Sequence, residues 1–262
     1  MKGVLSMADV KISYKGNDIL ELSDSGSATL KTGGKYCEDD IAVEYVKPSG
    51  GGGDYTIDDI FTADYPYGDI TVNADFGNFA GAFYGRTNVT GITAPNTTRI
   101  HDMAFTNCTK LAYIHAPNAW QISANAFQNC SKLKYAVFPS LRVLYSAAFL
   151  VCSSLEAADF GGTPTSSEGF IRANLFQGAT KMKTLILRTS DIVFPLSNIN
   201  TFNSSPFESN GTGGTLYVPQ ALISDYQNAT NWSTILGYAN NQILPIEGSA
   251  YETHYADGTV IS

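Results

Sequence analysis

Three cysteines, the residue type that can bind zinc, recur at a constant spacing of 22 residues: Cys108, Cys130 and Cys152. A structural zinc site needs four ligands that converge as a tetrahedron, and three cysteines in a file with no fourth ligand do not provide one. The constant spacing instead predicts a ladder of small, buried, apolar thiols on successive copies of a repeated unit. Cys37 stands apart and is expected to be a lone structural thiol. Disulfides are not expected without export to an oxidising compartment.

Other residue types that perform chemistry show no spacing typical of a site. The three histidines lack metal-binding spacing and are expected at the surface: His101, His115 and His254. The acidic runs at 38–40 and 58–59 could suggest the paired carboxylates of a glycosidase, but solvated turns are the better interpretation. The Gly-rich run at 50–53 lacks the Lys-Ser/Thr of a phosphate-binding loop. We therefore predict no catalytic residues, no metal and no cofactor, and a protein that is not an enzyme.

Composition and charge narrow the possible partners. The 262-residue chain is 44% hydrophobic and only 15% charged, which is typical of a folded protein of one or two domains. Its net charge of −8, with 16 scattered basic residues, argues against nucleic acid and against an anionic membrane surface. Neither a signal peptide nor an apolar segment of about 20 residues is evident, so we expect the protein to stay inside the producing cell unless the cell lyses or a partner exports it.

The elements that position these residues follow from a repeat. Successive phenylalanines lie 22, 22, 22 and 27 residues apart, the longer step containing the insertion around "GGTPTSSEG". The cysteines follow three residues after the phenylalanine in the second to fourth units, and Val, Leu or Met follows six residues after it in all five. The five anchors are Phe83, Phe105, Phe127, Phe149 and Phe176. Such self-similarity predicts a solenoid, because a single unit cannot bury its apolar face alone.

Successive side chains in the short strands of this solenoid should point alternately inward and outward. In "YIHAP" and "YAVFP", residues 114, 116, 136 and 138 are predicted to point inward, whereas Tyr113, His115, Tyr135 and Val137 point outward. With strands stacked about 4.8 Å apart, each anchor ring should lie above the previous one. The sequence therefore predicts one internal column of five phenylalanine rings.

The repeats "IHDMAFTNCTKLAYIHAP" and "ISANAFQNCSKLKYAVFP" resemble the BspA-type leucine-rich repeat family. The resemblance covers about residues 70–246 and implies a mostly β solenoid with few helical turns. Residues 217–246 are similar to the closing segment of such arrays, with Pro219 at the first turn of a helix whose body spans 221–229 and covers the last open coil. The array with its cap is assigned to 54–246, and 247–262 to a short β segment or tail.

Before the array, alternating residues predict a small β module at 1–47, joined by a Gly-rich linker at 48–53. The stretch "YKGNDILELSDSGSATLKTGGKYCEDDIAVEYV" resembles amino-terminal segments of tail and baseplate proteins of phages that infect gut Firmicutes. That resemblance implies that this module attaches to other virion tail or baseplate proteins and that the protein forms a homo-oligomer on the particle. It also implies a location in the virion after assembly in the host cytoplasm.

The remaining signal lies on the surface, where exposed aromatic and Arg side chains are typical of interfaces and of sugar stacking. Two groups of surface residues are candidates for binding. One lies on the outward side of the strands in "YIHAP" and "YAVFP", and the other on a second, short edge of the coil. The candidate receptor-binding residues are Tyr113, His115 and Tyr135 in the first group, and Trp120, Arg142, Arg99 and Gln121 in the second. We favour the second group, although the repeats could equally be a spacer. The leading hypothesis is a phage tail protein that binds a bacterial surface glycan or protein; the alternatives are a cell-surface adhesin and, third, a glycan hydrolase.

Overall fold

The structure is a computed structural model, and it describes residues 11–14, 17–22, 27–30, 41–45, 68–72, 80–163, 171–189 and 192–253. Four strands in the first part form an antiparallel meander in chain order. They are β1 (Lys11–Tyr14), β2 (Asn17–Leu22), β3 (Ser27–Leu30) and β4 (Ile41–Tyr45). The predicted linker at 48–53 lies outside the described residues.

The meander continues directly into the repeat array. Strand β5 (Gly68–Val72) pairs antiparallel with β4 on one side and parallel with β6 (Val89–Thr93) on the other. Strand β8 (Tyr113–His115) then pairs parallel with β6. One seven-stranded sheet therefore runs from the first strands of the chain into the solenoid.

Each coil of the solenoid contributes one strand to a broad parallel sheet. After β8, this sheet continues as a five-stranded part linked to the first by the Lys134 amide, which donates to the Ala112 carbonyl at 3.2 Å. The strands of the second part are β10 (Tyr135–Phe138), β12 (Ala157–Phe160), β13 (Thr184–Leu187), β14 (Thr215–Val218) and β15 (Gln242–Pro245). All neighbours in this part are parallel, as expected for coils that advance in one direction.

A second, narrower sheet lies on another side of the coil. Its strands are β7 (Arg99–Ile100), β9 (Gln121–Ile122) and β11 (Val143–Leu144), and we call it the edge sheet. Arg99 pairs with Gln121, and Gln121 with Val143. The second residue of each strand is inward and buried, as the ends of the repeat units predicted.

The predicted phenylalanine column is confirmed, and it is longer than predicted. Ring centroids of the five anchors follow one another at 5.0, 5.2, 5.2 and 5.7 Å, with interplanar angles of 13° or less. The stack then continues to Phe202 at 5.8 Å and Phe207 at 5.0 Å, while Trp232 lies 6.2 Å from Phe202. The rings therefore stack in parallel at about the spacing between coils and form a continuous apolar interior.

The turn that carries each anchor phenylalanine has a fixed backbone signature. In every one of the five units, the residues two before and two after the phenylalanine have positive φ, from Gly81 and Gly85 to Asn174 and Gly178. This geometry turns amide groups toward the next coil; the Phe105 amide, for example, donates to the Ala126 carbonyl at 2.7 Å. Hydrogen bonds between the turns of successive coils therefore take the place of pairing between strands. Gly and Asn suit these turns because they tolerate left-handed backbone.

Three short helical segments lie between β14 and β15. They are a 3₁₀ turn (Gln220–Leu222), α1 (Ile223–Asn228) and α2 (Trp232–Leu236). Trp232 is fully buried and donates through Nε1 to the Phe194 carbonyl at 2.7 Å. Helical structure is thus present where the sequence predicted a helix after Pro219. Strand β15, however, follows these helices in the chain and pairs parallel with β14 at the edge of the sheet, while Trp232 of α2 lies against Phe202.

One outward assignment needs correction. Val137 lies on the outer face of the broad sheet, but it is only 2% exposed. It packs in a separate apolar cluster with Ile186 and Ile246, against the partly buried rings of Tyr135 and Tyr251. The chain returns over this face at 246–253, which we call the return segment, and sequence alternation could not reveal that cover.

Candidate binding surface

The cysteine ladder forms as predicted, and its thiols have a structural role. Each thiol is buried and donates to the carbonyl of the anchor phenylalanine one coil earlier; the Cys130 Sγ lies 3.1 Å from the Phe105 oxygen. Burial raises the pKa of Cys108 and Cys152 to about 12, and raises the pKa of Cys130 as well. All three thiols therefore stay protonated at neutral pH and are poor nucleophiles and poor metal ligands. Cys37 lies outside the described residues.

The remaining titratable residues singled out in the sequence do not converge on one another. His101 accepts a hydrogen bond at Nδ1 from the neighbouring Asp102 amide at 2.7 Å, and His115 lies apart from it on the broad sheet. In the part of the chain that the structure describes, no group of three or more His, Cys, Asp and Glu side chains could hold a metal ion. His254 and the acidic runs at 38–40 and 58–59 lie outside the described residues.

The predicted first group of surface residues lies on the outer face of the broad sheet, where its tyrosines already have partners. The Tyr113 ring lies across Gly91, so close that a Cβ on Gly91 would meet the ring at 2.2 Å. Burial, followed by the charge of Asp69 and a hydrogen bond to it, raises the pKa of Tyr113. The Tyr135 hydroxyl lies 3.5 Å from Glu156, and burial and that carboxylate raise its pKa too.

The return segment occupies the other half of the same face. Arg188 makes a bidentate ion pair with Asp159, at 2.7 to 3.0 Å, and donates through Nη2 to the Tyr251 carbonyl at 2.9 Å. The Tyr251 ring packs edge-on against Tyr217 at 4.7 Å. Burial raises the pKa of Asp159 to about 6, against the opposing effect of Arg188. The outer face of the broad sheet is therefore largely engaged in internal contacts.

The predicted second group lies together on the edge sheet. Trp120 directly precedes β9; its amide donates to the Thr98 carbonyl at 2.9 Å, and its carbonyl accepts from the Arg142 amide at 2.8 Å. Trp120 and Arg142 therefore occupy the same position on adjacent coils, as predicted. The Arg99 guanidinium lies 4.8 Å from the Trp120 ring centroid in a cation–π contact. Gln121 is turned along its own coil, with Nε2 3.1 Å from Ser123 Oγ.

A second arginine–aromatic pair on the same side was not predicted. The Arg172 guanidinium lies 4.9 Å from the Tyr145 ring centroid. Both residues directly follow the last apolar residue of their repeat units, Leu144 and Ile171, and this register is a signal that the sequence contained. We call the surface formed by Arg99, Trp120, Arg142, Tyr145 and Arg172 the arginine face.

Exposure on the arginine face suits contact with a partner. Arg99 and Arg142 are exposed, whereas Trp120 and Tyr145 are half-buried and each has a guanidinium group over its ring. Val143, between them on β11, is only 2% exposed and gives the face an apolar floor. Aromatic rings with arginine around such a floor are the usual chemistry of binding hot spots.

An apolar cleft lies near the carboxy-terminal end of the array. It is lined by residues from the 193–197 segment and from the start of α2, including Val193, Leu196 and Trp232. The described part of the chain contains no helix that is both long and apolar enough to cross a membrane.

The repeats of this chain match a known family of repeat proteins. The pattern of the BspA type leucine rich repeat region matches residues 79–212 in six copies, just over half of the chain. The chain belongs to the BspA-type leucine-rich repeat family. The six matched copies run from the first phenylalanine turn, at Phe83, past Phe207, which covers the column seen in the structure.

Two solved structures are similar to part of this chain. A leucine-rich repeat protein from Bacteroides ovatus is 16% identical, with a TM-score of 0.37, over 45% of this chain and 31% of that one. The T. pallidum leucine-rich repeat protein is 23% identical, with a TM-score of 0.32, over 48% of this chain and 66% of that one. The chain thus spans less than two thirds of either relative. No curated protein sequence matches it.

Proposed function

We propose that this protein is a non-enzymatic binding protein whose repeat array presents the arginine face to a polymer or protein on a bacterial surface. The observation that carries the proposal is the stacking of Arg99 on Trp120, with Arg142 at the equivalent position of the next coil. Such pre-positioned Arg and Trp side chains lose little conformational entropy on binding.

The absence of an enzymatic role is part of the proposal. The three repeat thiols are held protonated by burial, and the buried carboxylate of Asp159 is bound to Arg188. A glycosidase would need two carboxyl groups about 5 to 10 Å apart around an open cleft, and Asp159 lies beneath the return segment. Release of reducing sugar from host cell wall by the purified protein would refute this part.

Binding to whole host cells tests the proposal. The full chain should bind cells or extracted wall polymer, and Trp120→Ala combined with Arg142→Ala should abolish that binding with little change in melting temperature, since both side chains are at least partly exposed. The matched control is Tyr113→Ala with Tyr135→Ala, which removes aromatic area from the broad sheet. If the control loses binding and the Trp120/Arg142 variant keeps it, the partner contacts the broad sheet instead.

We also propose where the array is displayed. The motif T-L-x-T-x-G-K-Y followed by D-I-x-V, at residues 29–43, supports attachment of residues 1–47 to a phage tail or baseplate, with several copies on each particle. Membership of the BspA-type repeat family is the observation that favours the second candidate, a bacterial cell-surface adhesin. Antibody labelling of purified phage particles against intact producing cells separates the two, because only one should carry the protein.

A further inference from the structure

The net charge of the chain is unevenly distributed. Residues 1–79 contain 14 Asp and Glu against six Lys and Arg, and therefore carry a net charge of −8. Residues 80–253 contain nine acidic and ten basic residues, a net charge of +1. The acidic composition of the whole chain thus says little about the ligand of the array.

Within the array, the fold gathers arginines that are scattered in the sequence. Three of the five arginines of the chain lie on the arginine face: Arg99, Arg142 and Arg172. The first two are two coils apart and the last two are one coil apart, which corresponds to about 10 and 5 Å along the array at the spacing of parallel strands. Three cations within four successive coils suit a linear ligand that carries repeated negative charges along its length.

The three arginines keep hydrogen-bond donors available for such a ligand. A guanidinium stacked on a ring uses its flat face and leaves its N–H groups in the plane free for bidentate contacts with phosphate or carboxylate. The Arg172 Nε is buried and has no hydrogen-bond partner among the described residues.

The rings beside these cations define the other half of the ligand. Trp120 and Tyr145 are half-buried, and each has a guanidinium group over its ring. Apolar faces of sugar or polyol units pack on such rings, so the preferred ligand alternates uncharged polyol or sugar surface with anionic groups. We propose, resting on the function proposed above, that the arginine face binds a linear anionic surface glycan through its phosphate or carboxylate groups.

The chain also offers a matched electrostatic control. A row of exposed lysines lies on a different side of the coil, where the chain passes from the phenylalanine turn to the broad strand: Lys110, Lys132, Lys134, Lys181 and Lys183. No aromatic stacking accompanies this row in the described structure, and exposed Glu156 lies between Lys134 and Lys183. The lysine row therefore supplies equal charge without the recognition geometry.

The test measures binding of the full chain to three defined polymers by titration calorimetry: poly(glycerol phosphate), polygalacturonate and neutral dextran. We expect binding to one or both anionic polymers, weaker binding at higher salt, and none to dextran. Arg99→Gln with Arg142→Gln should weaken binding at least about tenfold, because charge-assisted hydrogen bonds are lost. Lys132→Gln with Lys134→Gln should change it by less than about threefold, as loss of distant charge does.

The possible outcomes separate this inference from the proposed function. Preference for poly(glycerol phosphate) or for polygalacturonate identifies the anionic group. Equal loss in the arginine and lysine variants would overturn the inference, because it would show unspecific attraction, as would equal binding to dextran. If cells are bound through Trp120 while both anionic polymers fail, the inference is wrong and the proposed function stands. If cells are not bound at all, the proposed function itself is wrong.

Discussion

The left-handed positions of the phenylalanine turn allow a sharp test of the repeat register through Val151. This residue follows its anchor, Phe149, by two positions and has φ of 59°. The equivalent positions in the two preceding coils are Asn107 and Asn129, with φ of 64° and 61°. A β-branched residue is a true outlier in this region, whereas Asn tolerates it. We therefore expect Val151→Asn to stabilise the protein.

The magnitude follows from the surroundings of Val151. Left-handed backbone costs an ordinary L-residue about 1–2 kcal/mol, and Asn recovers most of that cost. The Val151 side chain is 44% exposed, so replacing it loses little buried apolar area. A gain of about 0.5 kcal/mol is added if the new amide bonds Asn129, as the Asn129 amide already bonds Asn107 Oδ1 at 2.9 Å. The free energy of unfolding should rise by about 1–2 kcal/mol in total.

Thermal and urea unfolding, followed by the fluorescence of Trp120 and of buried Trp232, measure the effect. For a chain of this size, each kcal/mol corresponds to about 2–4 °C in melting temperature. Two controls share the position type. Val151→Thr keeps the β-branch and adds polarity, so it should give no gain. Asn129→Val introduces the same branched residue one coil earlier, and should destabilise by about 1–2 kcal/mol or slightly more, because the bond to Asn107 is also lost.

The pattern across the three variants decides the matter. If Val151→Asn and Val151→Thr stabilise equally, polarity and not backbone conformation is the cause. If Asn129→Val is as stable as the parent, the left-handed positions do not constrain the sequence of the turn, and the explanation given for its Gly and Asn residues fails.

Three further predictions test the column, the thiols and the return segment. Phe127→Ala, which empties the middle of the phenylalanine column, should cost about 3–5 kcal/mol of unfolding free energy, and Tyr113→Ala on the outer face much less; equally mild melts would refute the inward assignment. In a Cys37→Ser background, the three repeat thiols should not react with Ellman's reagent in the native protein and should all react in denaturant; rapid native reaction would contradict their burial. The pKa of Asp159 is raised from 3.8 to about 6 in the folded protein, so the native state binds this proton more tightly than the unfolded state does. The contribution of Asp159 to stability is therefore greatest below pH 4 and is lost as the pH rises to about 6. The stability difference between the parent and Asp159→Asn should therefore change over that pH interval and be flat above it; a difference independent of pH would refute the shift.

Much of the fold was predictable because a solenoid repeats one local pattern. The spacing of phenylalanine and cysteine gave the register of the coil, the column of rings and the thiol ladder. Trp120 and Arg142 could be placed on adjacent coils for the same reason, since each coil advances by 22 residues there. The pairing of Tyr145 with Arg172 was missed because the insertion around 161–169 displaces Arg172 from that spacing.

The sequence alone determined the class of fold, the internal position of the repeated residues and which side chains share a coil position, because each of these depends on contacts between consecutive coils. Only the tertiary structure decided where the periodic pattern ends. Phe202 and Trp232 continue the column beyond the five anchors. The return segment buries Val137, and its Tyr251 accepts a hydrogen bond from Arg188, 63 residues away along the chain. It also decided that the tyrosines of the broad sheet are engaged, whereas Arg99 and Arg142 on the arginine face are exposed. Contacts between segments so far apart, and made once, leave no period in the sequence, and their energy exists only when the folded chain brings them together.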